Sequence, residues 1–237
     1  MEILFERVID NIYVLAVWDT EWKSYNNCYF IIQENGVTII DSGKGNHSKY
    51  LRKALGELGK TPEDVLLFLA THGHEDHIEG SSMFKNAKKF IHSNDNELID
   101  SLELAQFSND LEAFEVIKEF EYELVGYHTS GSVVFYHRPS KTVFTGDFLC
   151  FFGDPLSKDG LVSKGEYLRN EWVKYLRDGG VSTKHIDQFL SGLKKINQFN
   201  SRVMCTGHGG VLVGNIKEFI SELINIGVQY SKRVSDC

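Results

Sequence analysis

Residues 71–80, THGHEDHIEG, set His72, His74 and His77 beside Glu75, Asp76 and Glu79 within ten positions. Neutral imidazoles and carboxylates are the ligands expected of zinc and other first-row divalent ions, and a catalytic site keeps one position open for water. His72 and His74 are two apart, so on an extended segment they face the same side; Asp76 and His77 come as the chain turns into a helix and face a second point. One motif can thus serve two metals. The bland alternative is a solvated polar loop. Three more ligand-type residues each end a strand-like run in a Gly-containing turn: His128 in GYHTSGS (126–132), Asp147 in FTGDF (144–148) and His208 in CTGHGG (205–210). Singly, each reads equally well as a turn former or an ordinary core or surface residue. Their joint occurrence behind the first cluster points to a metal centre. Two divalent ions sharing a water lower its pKa towards neutrality and supply a hydroxide nucleophile without a Ser or Cys.

The elements needed to position these residues are legible nearby. Residues 65–70 form a short, apolar, branched-rich run that reads as a buried strand delivering its C-terminal end to the site. Residues 12–17, 29–33 and 37–40 read as strands, the last two joined by the turn Glu34-Asn35-Gly36. Leu51, Ala54, Leu55 and Leu58 recur at helical spacing, Gly59 is a stop signal, and Thr61-Pro62 has the form of an N-cap with proline at the first helical position. Leu98, Leu102, Leu111 and Phe114 are candidates for one helical face, interrupted at 108–110. A second strand cluster follows at 121–125, 132–137 and 142–145, so the chain builds two sheets in succession. Residues 148–164 are irregular and form a candidate lid, with Phe148, Phe151 and Phe152 as an apolar wall and 154–160 as a rim. Amphipathic helices are expected around Leu168, Trp172 and Tyr175 and around Ile186, Phe189, Leu190 and Leu193. A strand at 202–206 and a terminal helix from about Asn215 complete the chain.

The whole chain narrows the function further. Its 237 residues, 42% hydrophobic, suit one domain over 1–237 with a variable insert around 148–200. The formal net charge of −8 disfavours a phosphate backbone as partner, so a small-molecule substrate is expected rather than nucleic acid. The N-terminus lacks a signal-peptide pattern and no apolar run approaches a membrane span, so no membrane partner is expected. Cys28, Cys150, Cys205 and Cys237 form no CxxC pair, which fits a reducing cytoplasm. Cys150 and Cys205 read as buried thiols, Glu75 and Glu79 as solvated, and His47, His92, His137 and His185 as surface or supporting groups. Self-association as a homo-oligomer is compatible with this composition.

The run HxHxDH, then His, Asp and His, resembles the signature of the metallo-β-lactamase fold hydrolases, and the match spans residues 41–210. The resemblance implies an α/β fold, a four-layer αβ/βα sandwich with metals at the edge of two facing sheets. It implies His72, His74 and His128 on one metal, Asp76, His77 and His208 on the other, and Asp147 bridging them, with Asp76 also assigned a catalytic part. The implied metals are two Zn2+, with Fe or Mn as alternatives. IIDSG (39–43) is similar to the family segment in which Asp41 orients a ligating imidazole; otherwise Asp41 is a turn former at a strand end. The implied reaction is hydrolysis of an ester, thioester, lactone or related electrophile. Glyoxalase II-like relatives also include mononuclear iron persulfide dioxygenases, which is the alternative reading, and RNA processing is a third.

Overall fold

The computed structural model describes residues 2–108, 119–152, 156 and 160–235. Leu111 and Phe114, and residues 154, 155 and 157–159 of the expected rim, lie outside the described residues.

The first sheet contains β1 (Ile3–Ile9), β2 (Ile12–Asp19), β3 (Ser24–Gln33), β4 (Gly36–Ile40), β5 (Val65–Leu69) and β6 (Lys88–Phe90), paired in that order. β1 to β4 form the antiparallel meander. α1 (Ser48–Glu57) then carries the chain across so that β4, β5 and β6 run parallel. The second sheet contains β7 (Phe120–Leu124), β8 (Val133–His137), β9 (Thr142–Gly146), β10 (Val162–Ser163), β11 (Val203–Thr206) and β12 (Val211–Val213), in the order β10-β12-β11-β9-β8-β7.

Strand alternation explains why both sheets are covered on two sides. In β2, Val14 and Ala16 join the core between the sheets, while Leu15 and Val17 join a second core outside the first sheet with Leu51, Ala54 and Leu55 of α1. In β8 and β9, Val133, Phe135 and Phe144 point inward. Val134, Tyr136 and Val143 point outward, into a third core formed with α4 (Tyr167–Arg177), α5 (Ile186–Ile196) and α6 (Ile216–Ser235). The apolar run 65–70 feeds both cores, Leu69 between the sheets and Val65, Phe68 and Ala70 outside the first sheet, while Leu66 is left exposed. Helix, sheet, sheet and helix make the expected four-layer αβ/βα sandwich.

Some elements differ from the sequence reading. β1 alternates too weakly to be recognised, because it is an edge strand with only Val8 buried. Thr61-Pro62 opens a single 3-10 turn, Pro62–Asp64, closed by a capping box with Asp64. Leu98 and Leu102 line no buried face: they are exposed, on a 3-10 turn (Ser93–Leu98) and on the one-turn α3 (Ser101–Leu104). Among the described residues no helix is long and apolar enough to cross a membrane.

Candidate metal centre

Four strand ends deliver the predicted residues to one point at the edge of the sandwich. Asp41 follows β4, His72 and His74 follow β5, Asp147 follows β9 and His208 follows β11; His128 lies in the β7–β8 connection, and Asp76 and His77 sit on the short α2 (Glu75–Ile78). Backbone bonds between Ser42 N and His77 O (2.8 Å) and between Asn27 N and Gly207 O (2.9 Å) tie these loops together.

The side chains form three overlapping groups whose ligand atoms lie within 4.8 Å of one another: His72, His74 and His128; His72, His77 and Asp147; and Asp76, His77 and His208. In the first group, Nδ1 of His74 faces Nε2 of His72 and Nε2 of His128, both at 3.0 Å. In the third, Nε2 of His208 lies 3.2 Å from Oδ2 of Asp76, and Nε2 of His77 lies 3.6 Å from the same oxygen. Asp147 reaches across, with Oδ1 at 3.4 Å from His77 Nε2 and Oδ2 at 3.4 Å from both His128 Nε2 and His208 Nε2. Both Asp147 oxygens and the Nε2 atoms of His77 and His208 are buried without a hydrogen-bond partner. Buried polar atoms rarely remain unpaired, and donors converging on one another in this way suit a cation between them.

The charge states fit the same picture. Burial, then the neighbouring His77, pushes the His72 imidazole well below its usual range, and burial likewise lowers His128, which favours neutral rings. Burial opposes ionisation of Asp147, but His208 and His77 hold its carboxyl well below the usual range. For Asp76 burial is likewise outweighed by His77 and His208, leaving it at about 2. Burial lowers His208, but Asp147 and Asp76 bring it up to about 9. Buried negative charge that must borrow protons from imidazoles is charge that a divalent cation would neutralise, releasing those protons.

Supporting bonds fix the tautomers. Asp41, at a φ of 55°, accepts from Thr71 N and Thr71 Oγ1, both at 2.8 Å, and from Nδ1 of His77 at 2.8 Å. Thr71 Oγ1 has given its proton to Asp41, so it accepts from Nδ1 of His72 at 3.2 Å. The neutral form of each ring therefore carries its lone pair on Nε2, towards the centre; burial lowers His77, but Asp147, Asp41 and Asp76 together raise it well above its usual range, so its Nε2 proton is one that a cation would displace.

Sequence reasoning passed over several contributors. Asn26 Nδ2 donates to Asp76 O (3.0 Å) and Oδ2 (3.2 Å); its signal was a polar pair, Asn26-Asn27, inside an apolar strand. Asp95 is fully buried and accepts from Gly73 N (2.8 Å), Thr129 Oγ1 (2.7 Å) and Gly131 N (2.6 Å), so one carboxylate holds both the loop between His72 and His74 and the loop carrying His128. In the sequence it resembles any turn aspartate. Asp95→Ala is expected to lower metal affinity by roughly 10–100-fold while the protein stays folded; competition with a chelating dye measures this, and wild-type affinity would make the clamp idle. Gly207 is a second such position, since a Cβ there would lie 2.3 Å from Asp147 Oδ1 and 2.9 Å from His77 Cε1. Gly207→Ala is therefore expected to displace Asp147 and reduce metal content, measured by elemental analysis, and full loading would show that the loop can shift.

The remaining candidates resolve individually. Glu75 is exposed as expected, but Glu79 is half-buried and its Oε2 accepts from Gly45 N at 2.7 Å. His47 and His137 are buried, the latter bonded to Ser140 Oγ at 2.7 Å, whereas His185 is exposed. Cys205 is a buried strand thiol and Cys150 is half-buried; burial pushes both thiols up. Phe152 and Trp22 lie over the His208 ring at centroid distances of 4.7 and 5.5 Å, so part of the expected aromatic wall does border the cluster.

Comparison with known proteins agrees with this geometry. A probable metallo-hydrolase of Methanocaldococcus jannaschii is 26% identical over 178 residues, covering 73% of this chain and 71% of that protein. The type 2 metallo-beta-lactamase of Elizabethkingia meningoseptica is 30% identical over 184 residues, with coverage of 73% and 71%. Among solved structures, the DIM-1 metallo-beta-lactamase superposes with a TM-score of 0.64 at 18% identity over 98% of this chain and 99% of that one. A flavo di-iron protein from Thermotoga maritima, in a histidine-substituted form, reaches a TM-score of 0.70 at 18% identity, covering 95% of this chain, which spans only 62% of its length. The model of the metallo-beta-lactamase superfamily matches residues 23–183, more than half of the sequence, and with the sandwich and its histidine–aspartate cluster this makes the chain a member of the metallo-β-lactamase superfamily.

Proposed function

We propose that residues 1–237 form one catalytic domain, a dinuclear metal-dependent hydrolase acting on an ester, thioester, lactone or related small-molecule electrophile. In this reading His72, His74 and His128 hold one ion, Asp76, His77 and His208 hold the other, and Asp147 is shared. The observation that carries it is Asp147, whose two partnerless buried oxygens lie 3.4 Å from histidines of both groups. Bound divalent ions would supply a water of lowered pKa and polarisation of the substrate oxygen.

The chain's own groups do the rest. Asp41 and Thr71 occupy Nδ1 of His77 and His72, so that each ring in its neutral form presents Nε2 as the ligating nitrogen. Asp76, positioned by Asn26, stays ionised at neutral pH and can accept a hydrogen bond from an attacking water at Oδ2. The half-exposed His128 leaves the first group open on one side, where substrate can approach.

Relatives named metallo-hydrolase favour hydrolysis, whereas proteins named for a di-iron centre share the fold and keep iron chemistry as the second reading. A mononuclear dioxygenase with two His and one Asp would leave the group of Asp76, His77 and His208 without a purpose. The test is turnover of an ester, thioester, lactone and phosphodiester panel by protein stripped of metal and reloaded with zinc, manganese or iron. Zinc-restored hydrolysis is expected; iron-specific oxygen consumption with no hydrolysis would favour the second reading.

A further inference from the structure

Beside the metal cluster lies a cavity of about 380 Å3. It connects to the cluster through Asp147, which lines it, and through Phe152, whose ring covers His208. Its walls are aromatic and locked by core packing. Tyr127 stands edge-on to Phe148 at 5.7 Å, and Trp172 stacks on Phe189 at 5.9 Å while its Nε1 donates to Cys150 O at 3.0 Å. Walls already fixed by their own contacts cost little to order around a ligand. The outer rim is formed by Tyr167, Glu171 and Tyr175, four residues apart on α4 and exposed. Glu171 and Asp147 are the charged side chains of the lining, and among the described residues no Lys or Arg reaches it.

Such a lining rewards a flat apolar group through burial and ring contacts, and the exposed carboxylate of Glu171 at its rim penalises an anion. We infer that this cavity receives the non-reacting half of the substrate, an aromatic or bulky apolar group without negative charge, carried by an ester or thioester; the substrate class, though not the cavity, rests on the hydrolase reading above. In the reaction, water adds to the carbonyl carbon and the C–O or C–S bond breaks. The leaving group departs as alcohol or thiol with one proton, and the carbonyl half is released as the acid. With the apolar group in the cavity, the carbonyl lies towards Asp147 and the cluster.

Binding can be separated from turnover with an uncleavable ketone. Full-length protein as purified would be titrated with 4-phenyl-2-butanone and with its 4-carboxylated twin, following indole fluorescence. Saturable quenching is expected with the first, and about tenfold weaker binding with the second and with Tyr127→Ala. Because a partly buried tyrosine can affect folding, the exposed Glu171→Lys provides the second arm: it should narrow the gap between the two ketones by tightening the carboxylated one. On the same preparation, kcat/KM for ethyl 3-phenylpropanoate should exceed that for ethyl acetate by about tenfold. No saturable binding, or equal binding of the two ketones in wild type, would overturn the inference, and with metal-dependent acetate hydrolysis intact it would leave the hydrolase reading standing. Selective ketone binding without metal-dependent ester turnover would overturn the substrate class and the hydrolase reading, leaving an aromatic-binding cavity.

Discussion

Asp147→Asn is expected to lower turnover by about 10^3-fold and to take metal content down with it, because stabilisation of several kcal/mol by the ions corresponds to that factor. The amide is nearly isosteric, so packing around a side chain only 1% exposed is preserved and the effect isolates charge. An amide offers one neutral oxygen where the carboxylate presents Oδ1 to His77 and Oδ2 to His128 and His208. Elemental analysis and steady-state kinetics on one preparation check both halves. Asp147→Asn with full metal and full turnover would reduce Asp147 to a turn residue. Cys205→Ser, on β11 within the core between the sheets and outside the three ligand groups, is the control: stability should change modestly and metal content should not.

Removing the metals should destabilise the fold as well as silence it. An ion present at 1,000 times its dissociation constant contributes about 4 kcal/mol to the folded state. For a chain of this size that corresponds to a fall in Tm of roughly 10 °C per ion removed. The stripped protein should remain folded, since protonated His77 and His208 partly balance Asp76 and Asp147. Differential scanning calorimetry before and after chelation measures the shift, and re-addition of zinc should restore it. An unchanged Tm would mean that the cluster does not hold ions tightly in the native protein.

The site was more legible in the sequence than the frame around it, for a physical reason. Metal ligands are restricted to a few residue types, and HxHxDH concentrates them where an apolar run ends, so His72, His74, Asp76 and His77 stand out without any structure. His128, Asp147 and His208 are individually ambiguous, and only their order made them readable. Asp95 and Asn26 were invisible because a buried carboxylate or amide that satisfies backbone groups has no type or spacing to distinguish it from a turn former. β4, β5 and β9, with their buried β-branched and aromatic residues, were recognisable as strands. β1, β6 and β10 did not, being an edge strand or only two or three residues long, too short for a period to show.

The central claim is that two ions share Asp147 between two histidine groups, and anomalous diffraction from crystals of the protein as purified tests it most directly. Two anomalous peaks per chain are expected, one among His72, His74 and His128 and one among Asp76, His77 and His208, with Asp147 touching both. A single peak at full occupancy, leaving Asp76 and His208 without a ligand role, would contradict the account.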